Sequence, residues 1–243
     1  MSRFVLVHGA WLGAWCWDDV AKELRSRNHE VLVPDLPGHG ADQTPVSAIT
    51  LDRYVETVAP LLAEESVLVG HSMAGIVISS LAERMPQAIS SLIYVAAYLL
   101  QSGESIVNVS ATATDSLVGP NMVPAADWST ISIKPEALQQ VFAADAPPAA
   151  VKRLRSISRP EPAGPFNTPL AVTSAKFGGV RRAYVRTSED RAVTPRLQDA
   201  MLEKTPCQEV VTLNTSHTPF FVAPVELADT LVQLAGQGKG AIA

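Results

Sequence analysis

The distribution of apolar residues constrains this chain more than any other feature. Short continuous runs rich in apolar residues lie at 4–7, 31–33, 67–69, 92–96, 183–185 and 209–213. Between them, at 17–27, 51–62, 74–85, 195–203 and 225–234, apolar residues recur at helical spacing. A run without strict alternation suits a strand covered on both faces. Strand and helix in turn specify a parallel sheet with helices on both sides. The fold class expected is therefore α/β, doubly wound around a mostly parallel six-stranded sheet.

The alternation lapses between 98 and 179, where Pro, Ser and Ala are frequent and no clear strand is visible. A structureless connection of that length is improbable inside a compact domain. Two stretches, "IKPEALQQVF" and "PPAAVKRLRSI", read as short helices. The segment is expected to be a helical cap inserted after the fourth strand, with 1–97 and 180–243 forming the core. The final stretch "GQGKGAIA" is expected to fray.

In "VLVGHSMAGIVISSLAERM" a single hydroxyl, Ser72, stands where the third strand turns into a helix, with Gly70, Ala74 and Gly75 around it. Small residues are needed at such a tip because side chains there would strike neighbouring backbone. The turn would hold Ser72 out beyond the carboxyl end of the sheet, where open parallel sheets bind ligands. This is the pattern of a nucleophile elbow, Gly-x-Ser-x-Gly, with Ala74 in place of the second glycine. An ordinary helix N-cap would also use a serine. A nucleophile, unlike a cap, requires partners elsewhere in the chain.

A serine needs a base, and the base needs an orienting group. "AYVRTSEDRAVTP" places Glu189 and Asp190 just past the fifth strand, and "VVTLNTSHTPFF" places His217 just past the sixth. Asp190 is the expected acid, with Glu189 as the alternative. Taken singly, His217 could be a surface loop residue and Asp190 a helix-start carboxylate. The order Ser, acid, His, each beyond a strand end, argues for a triad. The backbone N–H of Met73 is one expected oxyanion donor. A second is expected from the loop "VHGAWLGAWCW", at Ala10. Trp11, Leu12, Trp128 and Phe142 are candidate pocket residues. His8, His39 and His71 are expected to shape loops.

Composition narrows the function. The chain carries a net charge of −5 and has no run of Lys and Arg, which argues against nucleic-acid partners. No apolar stretch approaches the roughly 18 residues needed to span a membrane, and 1–7 are not read as a signal peptide. The two cysteines, Cys16 and Cys207, suggest no disulfide framework and suit a reducing cytoplasm. The five histidines have no metal-ligand spacing, no loop has dinucleotide spacing, and no cofactor is expected. A homodimer is among the oligomeric states the sequence allows.

The stretches "FVLVHGAWLGAWCW", "VLVPDLPGHG", "LVGHSMAG", "YVRTSEDRAVTP" and "NTSHTPFF" resemble the α/β-hydrolase branch of plant methyl esterases and hydroxynitrile lyases. The likeness is of the salicylic-acid-binding methyl esterase type, with bacterial relatives that include pyrethroid hydrolases. The resemblance spans the chain and implies Ser72 as nucleophile, Asp190 as acid, His217 as base, and Ala10 and Met73 at the oxyanion hole. Leu12 replaces a polar residue common in the plant enzymes, which speaks against a salicylate-like substrate. Lyases of this branch have a lysine after the catalytic histidine and a threonine in the first loop. Thr218 and Ala10 stand there instead and favour hydrolysis. The expectation is a serine hydrolase of hydrophobic aryl or alkyl esters. The alternatives are a lyase or lactonase on the same triad, or a ligand sensor with little turnover.

Overall fold

The computed structural model describes residues 1–236. Residues 237–243 of the stretch expected to fray lie outside the described residues, and Gly236 ends the last helix. Six parallel strands form the main sheet: β1 (Arg3–Val7), β2 (Glu30–Leu32), β3 (Ser66–His71), β4 (Ile89–Val95), β8 (Arg182–Thr187) and β9 (Glu209–Leu213). Their order is β2-β1-β3-β4-β8-β9. The helices of this layer are α1 (Asp18–Ser26), α2 (Leu51–Val58), α3 (Ala74–Arg84), α9 (Pro195–Lys204), α10 (Pro219–Val222) and α11 (Pro224–Gly236).

Burial follows position in the sheet. Every residue of β3 is buried, as are all but Ser90 in β4, because helices cover both faces. The edge strand β9 instead alternates, with Val210 and Thr212 exposed. Tyr94 and Tyr184, neighbours in register across β4 and β8, stack with ring centroids 6.2 Å apart. Their hydroxyls are satisfied by Ser79 Oγ and the Ala97 carbonyl, each at 2.7 Å, so these large side chains fill the core without an orphaned polar atom.

Chain direction sets where a ligand can bind. From β1 the chain moves outward to β2, then returns to β3 on the other side of β1. The loops after β1 and β3 therefore part in opposite directions and open a crevice at the carboxyl end of the sheet. The register Val7↔Gly70 brings those two strand ends side by side.

Between β4 and β8 lie the cap helices α4 (Ile106–Ser110), α5 (Val118–Asn121), α6 (Leu138–Phe142), α7 (Pro148–Ile157) and α8 (Ala163–Asn167). The cap is not purely helical. Antiparallel β5 (Met122–Pro124), β6 (Thr130–Ile133) and β7 (Glu161–Pro162) form a three-stranded sheet. Strands of two to four residues, two of them ending in proline, are too short to show alternation, so they escape a reading of the sequence. The stretch "IKPEALQQVF" divides accordingly: Ile133 ends β6 and only Leu138–Phe142 is helical.

Candidate active site

Ser72 leaves β3 with φ 53°, in the left-handed region. Such a conformation costs a non-glycine residue about 1–3 kcal/mol and persists only where its surroundings enforce it. They do so here: the Ser72 N–H donates to the Val95 carbonyl at 3.2 Å, and its own carbonyl accepts from Gly75 and Tyr98 at 3.1 and 3.0 Å. The departure from the elbow pattern also has a steric account. A Cβ at Gly75 would lie 2.1 Å from the Tyr98 carbonyl oxygen, whereas the Ala74 methyl is accommodated in a buried position. The closest approach falls three residues after the serine, and there glycine is kept. On the facing loop, a Cβ at Gly9 would lie 2.8 Å from the Ser72 Cβ, so only glycine lets the two loops meet.

Asp190 follows β8 by three residues and is buried. It accepts from His217 Nδ1 at 2.7 Å, from Thr187 Oγ1 at 2.8 Å, and from the Ala192 and Val193 N–H groups at 2.8 and 3.0 Å. Gln198 on α9 brackets Thr187, donating to its carbonyl and accepting from its N–H. Glu189 is exposed, so the alternative carboxylate faces away from the cluster. The His217 carbonyl accepts from His71 Nε2 at 2.9 Å, and the two rings lie 4.6 Å apart. Burial, reinforced by His217 nearby, holds the His71 imidazole well below its usual range. It stays neutral and acts as a prop beneath the histidine loop.

The cap grips the same loop from above. The Phe142 carbonyl accepts from Ser216 Oγ at 3.2 Å and Thr218 Oγ1 at 2.9 Å, and Asp145 accepts from the Ser216 N–H at 2.8 Å and its hydroxyl. None of these partners is visible in the sequence, because Phe142 and Asp145 stand more than seventy positions from the residues they hold.

Ala10, Leu12, Ser72 and His217 line one small recess, and Ala10, Ser72 and Met73 also floor a cavity of about 670 Å³. Cap residues such as Ile106, Ile131, Phe142 and Phe166 wall that cavity, and among the described residues no charged side chain lines it. Burial pushes the Tyr98 phenol up to about 12, so it remains a neutral donor to or acceptor from Ser110. Of the pocket residues expected from the sequence, Trp11 and Phe142 line both spaces and Leu12 the recess. Trp128 sits at the cavity rim and is 70% exposed. Among the described residues no group of His, Cys, Asp and Glu could hold a metal ion, and no helix is long and apolar enough to cross a membrane.

The comparisons with known proteins bear on the family and the fold. Residues 4–230 match the alpha/beta hydrolase family. A methyl jasmonate esterase of Vitis vinifera is 30% identical, with 96% of each chain covered. A putative chloroplastic methylesterase of Arabidopsis thaliana is 29% identical over 97% of this chain and 72% of its own. The chain spans only 56–64% of three further chloroplastic relatives. Among solved structures, a pyrethroid hydrolase from Sphingobium faniae superposes with a TM-score of 0.85 at 26% identity, with 97% of each chain covered. The chain belongs to the alpha/beta hydrolase family and, within it, to the methylesterase branch of carboxylic ester hydrolases.

Proposed function

We propose that this carboxylic ester hydrolase cleaves hydrophobic aryl or alkyl esters by acyl transfer through Ser72. His217 takes the hydroxyl proton as Ser72 attacks the ester carbonyl. Asp190, 2.7 Å from Nδ1, fixes the imidazole tautomer and stabilises the imidazolium. The oxyanion lies against the N–H groups of Ala10 and Met73. The alcohol departs with the proton from His217, and water activated by the same base then releases the acid.

The observation that carries the substrate class is the cavity of about 670 Å³, with Ser72 in its floor and no charged residue among the described residues that line it. A carboxylate or ammonium group on the substrate would have to shed its water there without a partner. A methyl jasmonate esterase and a pyrethroid hydrolase among the relatives support the same class. Cyanohydrin cleavage is disfavoured because Thr218, which comes directly after the base, is uncharged and its hydroxyl is committed to the Phe142 carbonyl.

The test is a panel of p-nitrophenyl and methyl esters of increasing acyl length, with mandelonitrile as the lyase substrate and a fluorophosphonate as the probe of the nucleophile. The expected result is ester turnover, labelling confined to Ser72, and no cyanide release. Labelling elsewhere, or Ser72-dependent cyanide release faster than ester cleavage, would overturn it.

A further inference from the structure

The cap carries a second buried acid–histidine pair, and the proposed reaction makes no use of it. Glu161, in β7, has no exposed surface, and neither do His39 and Tyr54 from the core. Its Oε2 accepts from His39 Nε2 at 2.7 Å and from the Trp11 backbone N–H at 3.1 Å, and its Oε1 accepts from the Tyr54 hydroxyl at 3.1 Å. His39 Nδ1 faces the Pro37 carbonyl at 3.1 Å. Both ring nitrogens thus face acceptors, which an imidazolium satisfies and a neutral ring does not. A buried charge is tolerated only when paired in this way.

The position of Trp11 gives the pair a purpose. Trp11 directly follows Ala10, the proposed oxyanion donor, and has φ 60°, a conformation a bulky residue adopts only when held. Two groups hold it. Its backbone N–H goes to Glu161, and its indole N–H goes to the Ile131 carbonyl at 2.8 Å. Ile131 and Glu161 are direct partners in the β6–β7 pairing. One rung of the cap sheet therefore clamps both ends of Trp11. The clamp fixes the Ala10–Trp11 peptide, and any rotation about Ala10 would swing the neighbouring peptide that carries the oxyanion donor. Arg159, two residues before Glu161, ties the same cap strand to the Asp42 carbonyl at 2.6 Å, beyond His39.

We infer that Glu161 is a positioning residue for the oxyanion hole, acting from the cap through Trp11 to aim the Ala10 N–H. The inference rests on the serine esterase reading of the site. It implies that the core alone does not complete the hole, because the loop after β1 takes its working shape only against the cap sheet.

The experiment compares Glu161→Ala, Glu161→Gln and Tyr54→Phe in the full chain, at temperatures well below each Tm. The loss expected for Glu161→Ala is about 10–100-fold in kcat, with KM for a short ester changed less than about threefold, as for partial loss of one oxyanion donor. Glu161→Gln keeps an acceptor for the Trp11 N–H and should fall between Glu161→Ala and wild type. Tyr54→Phe removes a bond to the other carboxylate oxygen and should lower Tm with kcat held. Affinity for a trifluoromethyl ketone, whose hemiketal oxyanion needs the hole, should weaken in step with kcat/KM. Affinity for the matching secondary alcohol should not. If Glu161→Ala does not fold, Glu161→Gln decides by the same measures. Parallel losses in all three variants that track Tm, a loss confined to KM, or unaltered ketone affinity would overturn the inference. If the unmodified protein turns over esters, Ser72→Ala does not, and Glu161→Ala (or Glu161→Gln where Glu161→Ala does not fold) matches wild type, only the positioning role falls. Absence of wild-type turnover removes both readings.

Discussion

Among the described residues stand two buried acid–histidine pairs, each joined at 2.7 Å, and they are built for opposite ends. In the first, Asp190 takes one nitrogen of His217, and the ring lines a recess with Ser72. In the second, Glu161 and the Pro37 carbonyl take both nitrogens of His39, and the ring is sealed between core and cap. A histidine with one nitrogen left toward a cavity can move a proton. One with both nitrogens bound to acceptors can only hold parts together. The chemistry of the pair does not distinguish them; what the second nitrogen faces does. The carboxylates also differ in origin: Asp190 hangs from a core strand end, Glu161 from the cap.

The comparison is tested most severely at the proposed nucleophile and base. Ser72→Ala and His217→Ala should each reduce kcat for p-nitrophenyl esters by about 10⁶-fold, and the double variant should lose little more, since the two act as one unit. The fold, monitored by circular dichroism and Tm, should survive Ser72→Ala, because that side chain packs little surface. Clearly additive losses would mean that the two residues do not share a step.

Next in size is the proposed orienting carboxylate, Asp190. Asp190→Asn should cost about 10⁴-fold in kcat by favouring the wrong tautomer of His217. Glu189→Gln, on an exposed side chain in the adjacent position, should change kcat less than twofold. Steady-state kinetics on the two variants decide, and the reverse ranking would mean that Glu189 is the acid. Smaller again is Ala10→Thr, which introduces a branched side chain where Ala10 lines both recess and cavity. A tenfold or greater fall in kcat/KM is expected, on the scale of ~1–3 kcal/mol for part of one oxyanion donor.

The two pairs were not equally legible in the sequence. Asp190 and His217 stand out because each comes after a strand-like run in a chain whose rhythm already fixes a parallel sheet. Ser72 stands out because small residues crowd around it for a steric reason. Glu161 gives no such signal. Its partners are 107, 122 and 150 positions away, and its strand is two residues long and ends in proline. His39 reads as the filler of a Pro-Gly turn, yet it is fully buried and paired to the cap. Trp11 could be placed near the pocket from the sequence, but its positive φ and double anchoring could not, since both depend on a cap sheet formed by short, distant segments. Periodicity reveals what local spacing encodes, and contacts made across insertions leave no period.

The smallest expected effect concerns the sealed pair and its dependence on pH. Burial alone would lower the His39 pKa. The charge and hydrogen bond of Glu161, with the Pro37 carbonyl, outweigh it and raise the pKa above 6.5 despite Arg159 nearby. A histidine whose folded pKa is raised contributes stability that is complete below pH 6.5 and is lost as pH rises through the folded value. His8, whose ring lies 5.0 Å from His39, behaves oppositely: burial and the charge of His39 lower it to about 3, so it weakens the fold as pH falls below 6.5. Tyr54 is raised and remains protonated throughout. The wild-type Tm alone therefore mixes terms of opposite sign, and from pH 6 upward, where burial, the larger cause of the His8 shift, acts in both proteins, the difference between wild type and His39→Gln reports mainly the pair. At pH 6 that difference should be roughly 5–15 °C, the scale for removing one partner of a buried ion pair in a chain of this length. It should shrink steadily as pH rises past the folded pKa of His39, because wild type then loses the charge that the variant already lacks. A difference that stays flat or grows on the alkaline side would mean that His39 is neutral in the fold and that the cap is held by packing alone.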